Sequence, residues 1–186
     1  MHGRGGQGNV VAAYLLAGAA FVEGRFAQAF PAFGAERRGA PVTAFVRIAE
    51  HPIRRRCQVL EPAYLIVQDE TLLHAGDITA GLLPGGAVLV NSTHSSEELS
   101  AQLGCDAVAL PASALAQEIL GRPVPNTALL SAFLELTGLL PRTALVTALG
   151  ERFRGPVLDK NRALVERAAA AVSAGAWQED THAVRA

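Results

Sequence analysis

A glycine-rich run at the start of the chain restricts the possible folds more than any other feature. It consists of Gly3, Arg4, Gly5, Gly6, Gln7 and Gly8, and its glycines satisfy the pattern G-x-G-x-x-G. An alanine-rich helical segment follows over residues 9–23. Such a turn normally joins a β-strand to a helix, where glycine lets the backbone approach a phosphate and the helix N-terminus faces the anion. Because only two residues precede the run, we expect the first strand to be absent or the start of the chain to be assigned too late.

Short apolar segments alternate with helical ones through the rest of the chain. The predicted strands are 26–30, 42–48, 64–68, 87–91 and 107–110. The predicted helices after the first are 97–103, 111–121, 127–137, 141–153 and 157–174. This order predicts an α/β fold with a mostly parallel sheet flanked by helices, the glycine-rich loop first and a helical C-terminal part last. We expect a single domain over residues 1–174 and a frayed tail over 175–186.

Composition excludes several classes of protein. Half of the 186 residues are apolar and 18% are charged, which excludes a disordered chain. Sixteen basic and seventeen acidic residues give a net charge of −1, whereas a general nucleic-acid binder has a basic excess. The longest apolar stretch, Val10–Val22, is too short to span a membrane. We therefore expect a cytoplasmic protein without nucleic-acid or membrane partners.

Residues with metal or nucleophilic chemistry are few. Cys57 and Cys105 cannot supply the four ligands of an ordinary iron–sulfur cluster, and we expect both to be buried thiols. The five histidines are scattered without metal-binding spacing. No serine lies in a G-x-S-x-G elbow, and no Walker lysine follows the glycine run. The sequence predicts no catalytic residue and no metal site in this chain.

The glycine run alone leaves alternatives open. It could serve only the packing of a strand–helix turn. It could also begin a dinucleotide site, which needs an acidic residue about twenty positions on. Glu23 is near that spacing but stands at a helix end, before Gly24, rather than at the end of a second strand. An independent flavin or nicotinamide reductase is therefore the alternative interpretation.

Two basic segments and one helix start are further candidates. Glu36-Arg37-Arg38-Gly39 brings two guanidinium groups next to a glycine, and arginine suits phosphate. The alternative is a solvated loop in which Glu36 pairs with an arginine. Residues 54–56 are three arginines that favour a solvated turn or a subunit contact. Asn126 follows Pro125 and is a natural N-cap.

Several of these segments together resemble the γ subunits of 2-oxoacid:acceptor oxidoreductases of the pyruvate:ferredoxin oxidoreductase type. The matching blocks are G-R-G-G-Q-G at 3–8, E-G at 23–24, F-A-Q-A-F-P at 26–31, F-G-A-E-R-R-G-A-P-V at 33–42, V-R-I at 46–48, P-I-R at 52–54 and P-N-T-A-L-L-S-A-F at 125–133. The resemblance covers residues 2–170. Ser131 departs from it, since the family commonly has glycine there, and we expect tighter packing as a result.

The resemblance implies the function of the chain. In such enzymes a 2-oxoacid is oxidatively decarboxylated with coenzyme A to an acyl-CoA and CO2, and ferredoxin or another acceptor takes the electrons. It implies that this chain binds no cofactor alone, with thiamine diphosphate, Mg and iron–sulfur clusters held by α, β and δ-type partner subunits. The implied coenzyme A site comprises Gly3, Arg4, Gly5, Gly6, Gln7, Gly8, Arg37, Arg38 and Gly39. Glu36, Asn126 and Thr127 are implied to lie near the cofactor or an interface. A purely structural assembly subunit is the second alternative.

Overall fold

The computed structural model describes residues 1–32 and 39–178. The strands are β1 (His2–Arg4), β2 (Phe26–Pro31), β3 (Pro41–Ala49), β4 (Tyr64–Val67), β5 (Ala87–Asn91) and β6 (Asp106–Leu110). The α-helices are α1 (Asn9–Val22), α2 (Ser96–Leu103), α3 (Ala112–Leu120), α4 (Asn126–Thr137), α5 (Arg142–Arg152) and α6 (Gly155–Ala169). A 3-10 helix spans Glu70–His74. Most boundaries fall within one or two residues of those predicted.

The described residues form one six-stranded mixed sheet in the order β2-β3-β1-β4-β5-β6. The pairs β1–β4, β4–β5 and β5–β6 are parallel, while β3 runs antiparallel to both β1 and β2. The expected α/β fold with a mostly parallel sheet is confirmed. After β1, the strands β2 and β3 are added on one side of it, and β4, β5 and β6 are then added on its other side. The direction in which the sheet grows therefore reverses between β1 and β4. Such a reversal is where open α/β sheets bind ligands, outside the carboxyl ends of the strands.

The first strand is present, so the expectation that it is missing is wrong. β1 includes Gly3, which pairs with Val42 of β3, and His2 pairs with Thr43 on one side and Val67 on the other. The glycine run was interpreted as loop throughout. Its first residues are extended, and only residues 5–8 form the turn into α1.

Each face of the sheet has its own apolar core. Five α-helices (α1 and α3 to α6) cover one face, where α1 brings small buried side chains such as Ala12, Ala19 and Ala20 close to the strands. On the other face, α2 and the 3-10 helix bury Leu99 and Leu72 against β4–β6. Burial of a leucine side chain stabilises the fold by about 1.5–3 kcal/mol. The two apolar cores therefore stabilise the sheet, including the edge where β1 and β4 end.

The end of the chain is docked, which corrects the expectation of a frayed end for residues 175–178. Helix α6 ends at Ala169, earlier than the predicted 174, and a turn brings the indole of Trp177 into the core at 1% exposure. This indole stacks on Tyr64 with ring centroids 5.8 Å apart. The N–H groups of Gly175 and Trp177 donate to the carbonyls of Glu135 and Leu136, which lie in the last turn of α4. Residues 179–186 lie outside the described part.

Candidate functional site

The glycine turn is held by its own backbone and by the segment before β3. Gly5 donates its N–H to the carbonyl of Ala40 (2.9 Å) and accepts from the N–H of Gly39 (3.3 Å). The N–H of Arg4 donates to Oε1 of Gln7 (2.7 Å), and the N–H of Gln7 donates back to the carbonyl of Arg4 (3.1 Å). Two hydrogen bonds between Arg4 and Gln7, one of them accepted by the Gln7 side chain, therefore close the turn.

Helix α1 begins with a glycine and without any side-chain cap. Gly8 is the N-cap, with φ +78°, a left-handed conformation that favours glycine. No acidic residue lies in the first turn of α1. The N–H groups of a first turn have no acceptor within the helix, and the helix dipole makes this end positive. The arrangement suits an anion, as the glycine-rich pattern predicts.

Arg4 and Asp69 join the carboxyl ends of β1 and β4 at the point where the strand order reverses. The Arg4 guanidinium donates to Oγ1 of Thr71 from Nε (3.1 Å) and Nη2 (2.6 Å), and to the carbonyl of Gly39 from Nη1 (3.1 Å). Its Nε lies 3.3 Å from Oδ2 of Asp69, which also accepts from Nε2 of Gln7 (2.8 Å). Arg4 is thus engaged in holding the turn, and its role as a phosphate ligand stays a prediction.

The ionised form of Asp69 is stabilised by these partners. Partial burial raises the pKa of Asp69, but hydrogen bonds from Thr71 and Gln7, together with the Arg4 charge, lower it by more. The pKa of Asp69 consequently lies below its ordinary value. A charged Asp69 therefore faces Arg4 at neutral pH, and the pair adds no net charge to the turn.

Asn126 contacts the glycine turn across the fold. Its Nδ2 lies 3.5 Å from the carbonyl of Gly8, and its Oδ1 accepts from the N–H of Thr127 (2.8 Å). The expected N-cap role is wrong by one position, because Pro125 is the cap and Asn126 is the first residue of α4. Two helix N-termini, those of α1 and α4, thus meet at Gly8.

Thr127 faces the core rather than the surface. Its side chain is buried, and its Oγ1 lies 3.1 Å from Oδ1 of Asn161 on α6. Ser131, further along α4, is fully buried, and its hydroxyl donates to the carbonyl of Val165 (2.6 Å). These contacts fasten α4 to α6 and hold Asn126 against the turn.

Glu36, Arg37 and Arg38 lie outside the described residues. Their neighbour Gly39 is exposed, with φ +81°, and its carbonyl accepts from the Arg4 guanidinium. The end of this segment is therefore next to the glycine turn, although the two are about thirty residues apart in sequence.

A line of polar side chains beneath the turn escaped sequence reasoning. Asn9 donates to the carbonyls of Met1 (3.1 Å) and Val42 (2.8 Å), and its Oδ1 accepts from the fully buried Gln68 (3.2 Å). The carbonyl of Gln68 accepts from Asn91 (2.9 Å), whose Oδ1 in turn accepts from the N–H of Ser113 (3.0 Å). A usable signal existed, since a polar residue ends or follows each of the predicted strands 64–68 and 87–91.

One large cavity lies away from the glycine turn, whereas another, of about 540 Å³, includes Gly3 in its lining. The first, of about 840 Å³, opens beside Tyr64, Phe133 and Gln178, at the start of β4 rather than at its carboxyl end. Residues 5–8 do not line it. This cavity is therefore separate from the glycine turn.

Other chemistry-bearing residues add no further site. Cys57 is exposed, which corrects the expectation of a buried thiol, while partial burial and the charge of Asp106 raise the pKa of Cys105. Within residues 1–32 and 39–178, no three His, Cys, Asp or Glu side chains are grouped to hold a metal ion. None of the helices in these same ranges is long and apolar enough to cross a bilayer.

Comparison with known proteins agrees with this geometry. The model of the pyruvate ferredoxin/flavodoxin oxidoreductase family matches residues 1–171. The common γ subunit of the pyruvate/ketoisovalerate oxidoreductases of Thermococcus kodakarensis is 49% identical over 170 residues, which is 90% of this chain and 92% of that protein.

Solved structures give the same result. The pyruvate oxidoreductase subunit PORC of Thermotoga maritima has a TM-score of 0.82 at 35% identity, covering 91% of this chain and 92% of its own. A 2-oxoglutarate:ferredoxin oxidoreductase of Magnetococcus marinus shares the fold, with a TM-score of 0.73 at 21% identity over 93% of this chain and 31% of its own.

The fold and these comparisons together define an α/β subunit of a 2-oxoacid oxidoreductase. This chain belongs to the pyruvate ferredoxin/flavodoxin oxidoreductase family, as a γ subunit of a 2-oxoacid oxidoreductase. The resemblance inferred from the sequence blocks is thereby confirmed.

Proposed function

We propose that this chain contributes part of the coenzyme A site in a multisubunit enzyme that oxidatively decarboxylates a 2-oxoacid, with pyruvate as the substrate. The reaction joins the acyl carbon to the sulfur of coenzyme A, releases CO2 and delivers an electron pair to ferredoxin or another acceptor. Partner-bound thiamine diphosphate with Mg supplies the decarboxylation chemistry, and partner-bound iron–sulfur clusters carry the electrons. Two cysteines in this chain are too few for an ordinary cluster, which is consistent with that division.

The uncapped N-terminus of α1 carries the proposal. Gly8 leaves the first N–H groups of α1 without a side-chain partner, and Asn126 brings the N-terminus of α4 beside it. Coenzyme A carries a diphosphate and a 3′-phosphate. A helix start binds such groups through backbone N–H donors and the dipole, and arginines add paired charged hydrogen bonds. Arg37 and Arg38 directly precede Gly39 in the sequence, and we propose them as the arginines that bind the phosphates.

The relatives support the same assignment. The structure of the Magnetococcus marinus enzyme contains coenzyme A and succinyl-CoA. The name of the Thermotoga maritima protein specifies pyruvate, and that of the Thermococcus kodakarensis protein specifies pyruvate and ketoisovalerate. We extend these properties to this chain on the strength of the shared family, and propose α, β and δ-type subunits as its partners.

Steady-state kinetics of the assembled complex test the proposal. In Arg38→Ala, the KM for coenzyme A should rise about 10- to 100-fold, the equivalent of one or more charged hydrogen bonds to phosphate. The KM for the 2-oxoacid should change little. Arg152→Ala is the matched control, because Arg152 is an exposed arginine on α5. An unchanged coenzyme A dependence in both Arg37→Ala and Arg38→Ala would remove these arginines from the site.

Purification of the tagged chain from its native host distinguishes the alternatives. Larger subunits that copurify with thiamine diphosphate and brown iron–sulfur absorbance are expected. A chain that purifies alone and binds a flavin or a nicotinamide would instead be an independent reductase. If the KM for coenzyme A is unchanged in every variant of the turn, this chain has an assembly role only.

A further inference from the structure

One half of the sheet has a face that none of the described helices covers. In the β2–β3 hairpin, side chains such as Ala27, Val46 and Ile48 pack beneath α1. The partners on the opposite face include Phe26, Phe30, Phe45 and Arg47, which we call the aromatic face. Over that side of the sheet, α2 and the 3-10 helix cover β4–β6 only. Among the described helices, α1 alone packs closely on β2 and β3.

The aromatic face is ordered by its own contacts. The rings of Phe30 and Phe45 lie 5.4 Å apart, and the Arg47 guanidinium lies 5.8 Å from the Phe30 centroid. Phe26 is 43% exposed, and Leu60, on the loop after β3, is 74% exposed. A groove of about 540 Å³ runs beside Phe45 and Leu60. A contiguous exposed apolar surface of this kind is typical of an interaction site.

Positive charge borders the aromatic face. Arg47 donates to the carbonyl of Gln58 (3.0 Å), which ties the loop after β3 to the sheet. The same loop carries the exposed run Arg54–Arg56, here called the arginine run. Over β3 and the loop after it, residues 41–63, the sequence has four arginines and two acidic residues, Glu50 and Glu61, although the whole chain has a net charge of −1. The basic charge is thus concentrated beside the uncovered face.

We infer that the aromatic face and the arginine run together form the docking surface for another subunit of the complex, one that presents an apolar centre with an acidic border. Charge complementarity selects this occupant, because opposite potentials steer association and exclude like-charged partners. A second copy of this chain presents the same arginines and would oppose like charges. The inference rests on the multisubunit part of the proposed function and is independent of coenzyme A binding.

Binding of the separately purified chain to the remaining subunits tests the arginine run. In the triple variant R54E/R55E/R56E, the Kd should rise about 100-fold at 0.15 M salt, and the difference should shrink at high salt. The control R152E carries a reversed charge on α5, away from the aromatic face. A triple variant that melts like the wild type and binds with unchanged Kd would overturn the inference.

Cys57 provides a second readout that needs no charge variant. It is exposed, and its Sγ lies 3.7 Å from the Arg47 guanidinium, at the border of the aromatic face. Its reaction with a maleimide should slow at least about tenfold when the chain is in the complex. Cys105, near the start of β6 and partly buried, is the internal reference.

The two failures are distinguishable. Equal labelling of Cys57 in the free and assembled chain would overturn the docking surface even if the KM for coenzyme A responds to Arg38→Ala. Protection of Cys57 in the isolated chain at high concentration would instead assign the face to a second copy, and would also overturn the inference.

Discussion

Gly8 and Asn126 lie 118 residues apart in sequence, yet a Cβ on Gly8 would stand 2.6 Å from Nδ2 of Asn126. Real Cβ atoms essentially never come so close to another heavy atom, so a side chain at residue 8 would displace the Asn126 amide from its place against the turn. The same glycine has φ +78°. One position therefore satisfies a backbone conformation and a tertiary contact together, and both belong to the proposed coenzyme A site.

Gly8→Ala should destabilise the chain more than a left-handed glycine alone explains. The conformational cost of alanine at such a φ is about 1–2 kcal/mol, and displacement of Asn126 adds to it. Gly121→Ala is the matched control, with φ +74° and no atom within 4 Å of its added Cβ. The free energy of unfolding, measured by heat or denaturant, should be at least about 1 kcal/mol lower for Gly8→Ala than for Gly121→Ala. Equal losses would mean that the contact with Asn126 has no energetic weight.

The stabilisation from the Arg4–Asp69 ion pair can be measured separately from that of the local hydrogen bonds between Asp69 and Thr71. Asp69 and Asp77 each accept hydrogen bonds from the N–H and hydroxyl of a threonine two residues later, but in the described contacts only Asp69 also meets Arg4 and Gln7. Asp69→Asn should therefore cost about 1–2 kcal/mol more than Asp77→Asn at pH 7.

The pH dependence gives the sign of this effect. A carboxyl with a lowered folded pKa stabilises the protein above its unfolded pKa, and that stabilisation is lost as pH falls through the folded value. The excess cost of Asp69→Asn should consequently shrink in acid, below about pH 3.8. An excess that persists unchanged at low pH would contradict a charged Asp69–Arg4 contact.

His2 should make the chain sensitive to mild acid. Burial, with a smaller effect of the adjacent terminal charge, lowers the pKa of His2 from 6.5 to about 4. The unfolded chain then binds more protons between these values, so stability rises with pH across that window. Within this window the free energy of unfolding rises by up to about 1.4 kcal/mol for each pH unit, and by at most about 3 kcal/mol in total.

His2→Gln should reduce the slope of unfolding free energy against pH between 4 and 6.5, while the Met1 amino group, whose pKa burial lowers from 8.0 to about 5, still contributes above pH 5. His74→Gln, at an exposed position, is the matched control. A His2→Gln profile as steep as that of the wild type would show that another group is responsible.

Trp177→Ala should show how much residues 175–178 contribute to the stability of the fold. The indole is 1% exposed and stacks on Tyr64, so its removal should cost about 3–5 kcal/mol. Trp177→Phe keeps an aromatic ring against Tyr64 and should cost less than half as much. Chemical denaturation measures both, and a loss under about 1 kcal/mol for Trp177→Ala would mean that residues 175–178 contribute little.

The regular elements were predictable because their signals are local. Alternating apolar residues indicated β3, and Ser95 with Glu98 forms the capping box that begins α2. The strand β1 was missed because glycine favours turns, whereas Gly3 is extended between two neighbours that are distant in sequence. The docking of Trp177 was missed for the same reason, since its partner Tyr64 lies in β4.

The site was only half predictable. Spacing and resemblance singled out the glycines and Asn126 as candidates, but they did not indicate Asp69 and Thr71, which contact Arg4. Their importance arises from Arg4, which reaches them across the gap between β1 and β4. Strand order sets that neighbourhood, and strand order depends on the pairing of the whole sheet rather than on any one segment.

Hydrogen exchange of the assembled complex, with and without coenzyme A, tests the central claim most directly. Coenzyme A should protect the amides of residues 5–12 and of 124–128, where the two helix starts meet, and should leave the exposed end of α5 unaffected. A complex that turns over coenzyme A while these amides exchange at the same rate in its presence and absence would contradict the assignment of this chain to the coenzyme A site.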